Sequence, residues 1–137
     1  MAKSLQVLLR DAHATVDAEV QSALAVAGYI LTPAHYRVLR NLGEDGARPV
    51  ELAAKASITR QAIAKIVDDL ERIGMVRREP DPYDGRGVIV RFTDHGLAGL
   101  TVARKRMAEL EYEYATRIGS ERWTSLRATL EELFGEE

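Results

Sequence analysis

The sequence predicts a mainly α-helical fold with one small β element, an α+β chain, and three patterns predict it. Apolar residues recur every three or four positions over most of the 137 residues. Once, the rhythm changes to a period of two, where Val88, Val90 and Phe92 alternate with Ile89 and Arg91. Glycine, proline and threonine stand between the periodic runs, where helix caps and stops belong.

In chain order, Leu5, Leu8, Leu9, Ala12, Val16, Val20, Leu24 and Ala27 form one apolar stripe, predicting a long helix over about 4–29 that ends near Gly28. Thr32 is a suitable N-cap and Pro33 a suitable first position for a second helix, with Tyr36, Val38, Leu39 and Leu42 inward. Asn41 to Pro49 is a loop. A short helix follows over Val50 to Ala56, with Val50, Leu52, Ala53 and Ala56 facing inward. Ser57-Ile58-Thr59 turns the chain and supplies hydroxyl caps for a helix reaching Ile73. Its inward face is Ala62, Ile63, Ile66, Val67, Leu70 and Ile73, and Gly74 stops it. Two helices joined by so tight a turn are a helix-turn-helix.

Met75 to Glu79 and Val88 to Thr93 read as a strand pair. The eight residues between them, Pro80 to Gly87, exceed a tight turn, so the tip is expected to project as a loop. Thr93 caps another long helix to about Ile118, with Leu97, Leu100, Ala103, Met107, Leu110, Tyr114 and Ile118 in its stripe. After Gly119-Ser120 a last helix carries Trp123, Leu126, Leu130, Leu133 and Phe134. The predicted architecture is therefore a winged helix-turn-helix over about 32–93, framed by long helices over about 4–29 and 94–134, as one domain over 1–137.

The framing helices are apolar along whole faces that a winged core of this size cannot cover. Left in water they would exceed the patches that monomers tolerate, so a homodimer is expected. Leu5, Leu8, Leu9, Tyr114, Ile118, Trp123, Leu126 and Leu130 are its candidate interface.

The net charge of −2 conceals an asymmetry: Arg48 to Thr93 holds nine basic against seven acidic residues, and the chain from Asp94 onward six against nine. Cysteine is absent, which excludes disulfides, thiolate metal sites and thiol redox chemistry. No basic leader or membrane-length apolar run is visible, so a cytoplasmic location is expected. His13, His35 and His95 lack a second ligand at helical spacing, and no nucleophile elbow, phosphate loop or dinucleotide fingerprint occurs. No enzyme, metal or cofactor is read.

A helix-turn-helix enters the major groove with the N-terminal residues of its second helix. That selects Arg60 and Gln61 as base-edge readers, with Ala64 and Lys65 a turn later, and Ser57 and Thr59 as phosphate contacts near the helix start. On composition alone Arg60 and Lys65 are better read as a solvated helix face; only the helix-turn-helix context reverses that ordering. Asp68 and Asp69 would repel phosphate and are expected at the mouth of the groove. In the wing, Asp84, Gly85 and Arg86 form a tip where the carboxylate is expected to orient the guanidinium, a probe suited to a narrow minor groove.

The runs Leu52-Ala53 with Ile58-Thr59, Lys65-Ile66-Val67-Asp68-Asp69-Leu70-Glu71, Gly74-Met75-Val76-Arg77-Arg78, Asp81-Pro82-Tyr83-Asp84-Gly85-Arg86 and Phe92-Thr93-Asp94-His95-Gly96 resemble the MarR family of bacterial transcriptional regulators. The resemblance implies a homodimeric winged-helix protein on a near-palindromic double-stranded DNA operator. It further implies a repressor released by a small ligand, with Arg86 in the minor groove and Asp84 steadying it. It places an effector crevice near His35, Tyr36 and Arg37. The chain departs from the family pattern at Gly85, where a second arginine is common, at Ala62 and Ala64, where hydroxyls are common, and at Asp69, where a basic residue is common. Each departure removes a potential phosphate contact. The competing reading is a winged-helix dimer without specific DNA binding that serves as a protein-interaction module.

Overall fold

The structure, a computed structural model, describes residues 1–135. The element order is α1 (Leu5–Val26), α2 (Pro33–Arg40), α3 (Pro49–Ala56), α4 (Arg60–Arg72), β1 (Val76–Asp81), β2 (Asp84–Phe92), α5 (Asp94–Ile118) and α6 (Ser120–Phe134). Among the described residues no helix is long and apolar enough to cross a membrane. The chain forms two compact units. Gln21–Val102 is one; Met1–Val20 with the chain from Ala103 onward is the other.

In the Gln21–Val102 unit, α2, α3 and α4 pack on one another and on the β1–β2 hairpin. Val38, Leu52, Val67, Leu70, Val76 and Val90 are buried at its centre. Local chemistry sets the helix ends. Thr32 caps α2 through a reciprocal pair: its Oγ1 accepts the His35 N–H (3.1 Å), and its own N–H donates to His35 Nδ1 (3.2 Å). Thr59 Oγ1 accepts the Ala62 N–H at 3.0 Å and starts α4. Gly74, at φ +81°, ends it: its N–H donates to Glu71 O and the Met75 N–H to Leu70 O, closing the last turn. Ser57 makes the corresponding turn after α3 at φ 55°, a left-handed conformation shared by no other non-glycine among the described residues.

Two inward assignments do not hold. Val50 is exposed because it precedes Leu52 by two residues, about 200° around the helix. Ile73 is exposed because it is the cap, where the chain is already leaving the helical path.

The wing also departs from expectation. The strands run to Asp81 and from Asp84, so the hairpin closes on two residues, Pro82 and Tyr83, rather than opening into an eight-residue loop. Asp81 Oδ1 accepts the Tyr83 N–H at 2.9 Å, a side-chain turn that reverses the chain at once. The surplus length goes elsewhere. Pro80 pairs with Val88 and Asp81 with Asp84, so Gly85-Arg86-Gly87 bulges out of β2. Ala47 adds a two-hydrogen-bond bridge to Val90 on the far side of β2.

In the other unit, Val20 and Leu110 are buried, and the Tyr114 and Trp123 rings lie 5.6 Å apart. Arg106 gathers Glu19 (2.8 Å), Glu109 (3.1 Å) and Glu113 (3.2 Å), joining α1 to α5. Arg127 reaches Glu111 at 2.5 Å and so ties α6 to α5. Leu5, Leu8, Leu9, Leu126, Leu130, Leu133 and Phe134 nonetheless stay exposed.

Candidate nucleic-acid interface

The second helix of the helix-turn-helix, α4, buries Ile63, Val67 and Leu70 and leaves Arg60, Gln61, Ala64 and Lys65 exposed. The 3.6-residue period turns Gln61, Ala64 and Lys65 away from the buried set, while Arg60, about 20° from Val67 around the axis, is exposed because it opens the helix. Thr59 is exposed but its hydroxyl is already engaged in the cap; Ser57 is exposed at the turn. The remaining polar residues of α4 are not free. Asp68 meets Arg78 Nη2 at 2.7 Å, and Glu71 meets Arg78 Nη1 at 3.0 Å while also accepting the Arg78 backbone N–H at 3.3 Å. Asp69 lies 3.3 Å from Arg72 and 3.6 Å from His35 Nε2. The two aspartates expected to repel phosphate are thus each matched by a cation of the protein itself.

The same pairing continues along the wing. Glu79 bonds Arg77 and Arg91, each at 2.6 Å, and Arg91 Nη1 also donates to Asp45 O at 2.5 Å. The hydrogen bond from Arg77, with Arg91 adding to it, holds the Glu79 carboxyl below the usual carboxylate range against the opposing effect of burial. At the tip Asp81, 3% exposed, faces Arg48 Nη2 at 2.6 Å. Its carboxyl is likewise lowered, first by the Tyr83 backbone N–H and then by Arg48, with desolvation opposing.

Against this set, Arg60, Lys65 and Arg86 have no acidic partner among the described residues. The expected side-chain pair at the tip is replaced by a different contact. Asp84 Oδ1 accepts the backbone N–H of Arg86 at 3.1 Å, so the carboxylate steadies the main chain of the bulge and leaves the guanidinium unengaged. Gly85 is exposed beside them.

Reading along the sequence overlooked Arg48, Arg78 and Asp81, whose ion pairs hold together the elements that carry Arg60, Lys65 and Arg86. Arg78 joins β1 to α4, and the Arg48–Asp81 pair joins the wing tip to the start of α3. Asp81 followed two residues later by an amide was a legible turn signal. No local pattern announces Arg48 or Arg78.

Of the three crevice residues, His35 is occupied in the α2 cap and by Asp69, Tyr36 is buried with Arg40 5.9 Å over its ring, and the Arg37 carbonyl accepts from Asn41. A cavity of about 90 Å³ lies elsewhere in this unit, lined by Gln21, Leu24, Ala25, Tyr29, Ile30 and Leu31. Among the described residues no group of three or more His, Cys, Asp or Glu is arranged to hold a metal ion.

Known proteins share both the sequence pattern and the fold. A sequence model of the MarR family matches residues 31–87. The transcriptional repressor CouR, solved bound to a 23-mer DNA duplex, is 30% identical with a TM-score of 0.70, over 95% of this chain and 92% of that one. An uncharacterised helix-turn-helix-type transcriptional regulator of Mycobacterium leprae is 30% identical over 90 residues, 65% of this chain. The chain spans 63% of the length of that relative and of the other curated relative it matches. The reduced form of MarR from E. coli superposes with a TM-score of 0.78 over 98% of each chain at 24% identity, a likeness of fold. Sharing that sequence pattern, the helix-turn-helix, the wing and their order, this chain belongs to the MarR family.

Proposed function

We propose that the chain is a sequence-specific double-stranded DNA-binding homodimer acting as a transcriptional repressor, with a small-molecule effector releasing it. The family is one of transcriptional regulators and not of enzymes. The observation that carries the reading is the segregation of charge. Asp68, Asp69, Glu71, Glu79 and Asp81 are matched by Arg48, Arg72, Arg77, Arg78 and Arg91, and Asp84 holds a backbone amide, while Arg60, Lys65 and Arg86 are left for an external anion. Phosphate contacts supply affinity and base edges supply specificity, and this set offers cations for both. Arg60 and Gln61 read base edges in the major groove, Lys65 meets phosphate or base, and Arg86 enters the minor groove. Dimerisation supports the reading through the exposed Leu5, Leu8, Leu9, Leu126 and Leu130, which a second copy would cover; Tyr114, Ile118 and Trp123 complete that interface.

Selection from random duplex DNA at two salt concentrations tests it. The expected result is a near-palindrome with half-site centres about 10 bp apart, bound more weakly as salt rises. Arg86→Ala then weakens binding by roughly 1–3 kcal/mol without unfolding the protein. Weak, unselective retention would sink the repressor reading and favour a protein-interaction module.

A further inference from the structure

The wing tip carries a tyrosine and an arginine whose side chains have no partner among the described residues, and the DNA reading uses one of them. Tyr83 is 94% exposed, and its side chain makes no hydrogen bond or ring contact among the described residues. Its main chain is nevertheless held: Asp81, buried and facing Arg48, accepts the Tyr83 N–H at 2.9 Å. Arg86 is built the same way, with Asp84 accepting its N–H at 3.1 Å and its guanidinium unengaged. Two carboxylates therefore fix two amides and leave an aromatic ring and a cation projecting from one short bulged hairpin. A tyrosine on a held backbone orders only two side-chain torsions on binding, so it presents a large contact at small entropic cost. Its chemistry is amphipathic, an apolar face with a donor at the end.

We propose that Tyr83 is a second wing contact to duplex DNA, packing its ring on the deoxyribose that walls the minor groove entered by Arg86 and donating its hydroxyl to the adjoining phosphate. The proposal rests on the DNA-binding reading and deepens it. Deoxyribose supplies an apolar C–H surface and phosphate an acceptor, the two surfaces a phenol fits together. Because the ring is uncharged, this contact reads backbone shape and adds nothing to the count of neutralised phosphates.

The test uses the full chain and a duplex enriched by the selection above, with wild type, Tyr83→Ala, Tyr83→Phe and Arg86→Ala titrated at several salt concentrations and footprinted with hydroxyl radical. Tyr83→Ala is expected to weaken binding roughly three- to tenfold, with Tyr83→Phe between it and wild type. Its salt dependence should stay that of wild type, whereas Arg86→Ala lowers the slope by about one. Protection of the sugars beside the minor groove should fade in Tyr83→Ala. Binding and footprint of Tyr83→Ala indistinguishable from wild type, with Arg86→Ala impaired, would overturn this proposal alone. If wild type enriches no duplex, the DNA reading fails first and takes this one with it.

Discussion

Replacing Gly46 by alanine tests how the wing is anchored, and its cost follows from the geometry. Gly46 sits at φ +80°, and a Cβ there would lie 2.7 Å from Val90 O, 2.8 Å from Ile89 Cγ2 and 2.9 Å from Arg91 Cγ. The left-handed conformation alone costs a residue with a Cβ about 1 kcal/mol. The side-chain atoms can swing aside, but the Val90 carbonyl belongs to β2 and cannot. Relief therefore requires the loop to lift away, breaking the Ala47 N–H to Val90 O bond (3.0 Å) and the Val90 N–H to Ala47 O bond (2.8 Å). At about 1 kcal/mol for each bond lost, the total is about 3 kcal/mol. Urea denaturation at fixed protein concentration reads it directly, as a lower midpoint with an unchanged slope. Gly43→Ala is the control, since a Cβ there meets nothing within 4 Å at a backbone angle alanine tolerates. If the two variants differ by less than about 1 kcal/mol, the bridge does not anchor the wing and the reasoning is wrong.

The remaining predictions concern charge and assembly. Arg78→Gln frees Asp68 and Glu71 on the reading helix; binding to the selected duplex should fall roughly three- to tenfold by fluorescence anisotropy, while thermal stability changes little, as expected for largely exposed ion pairs. Unchanged affinity would show that the clamp does not serve reading. Asp81 and Glu79 have carboxyls lowered in the folded state, so their stabilisation is complete above the unfolded values near 4 and is lost as pH falls through the lower folded values. Asp81→Asn should accordingly flatten the acid limb of stability in urea titrations below about pH 4.5, and an unaltered limb would contradict the assignment. The double variant Leu126→Asp, Leu130→Asp, at positions exposed in the single chain, should keep its helical circular dichroism but elute as monomer in light scattering; a stable dimer would remove α6 from the interface.

Much of the fold was legible because its cues are local. Thr32 and Pro33, Thr59, and Gly74 stand where the caps and stops form, and the three- and four-residue spacing of Ile63, Val67 and Leu70 identified the buried face of α4. Thr93 also caps as expected, accepting the Gly96 N–H at 3.0 Å while its hydroxyl donates to Gly74 O. The wing was misjudged at its tip because loop length alone does not say whether spare residues open a turn or bulge a strand. Here the Asp81 carboxylate tightened the turn and Gly85-Arg86-Gly87 took up the surplus.

By itself the sequence determined where most helices begin and end and which stripe of α4 is buried, since caps and periodicity act within a few residues of chain. Which charges stay available was decided only by tertiary structure. Arg78 reaches Asp68 and Glu71, Arg48 reaches Asp81, and Arg91 reaches both Glu79 and the Asp45 carbonyl, all across segments that folding alone brings together. A carboxylate is silenced by whichever cation lies within a few ångströms, and distance in space is not written as distance along the chain.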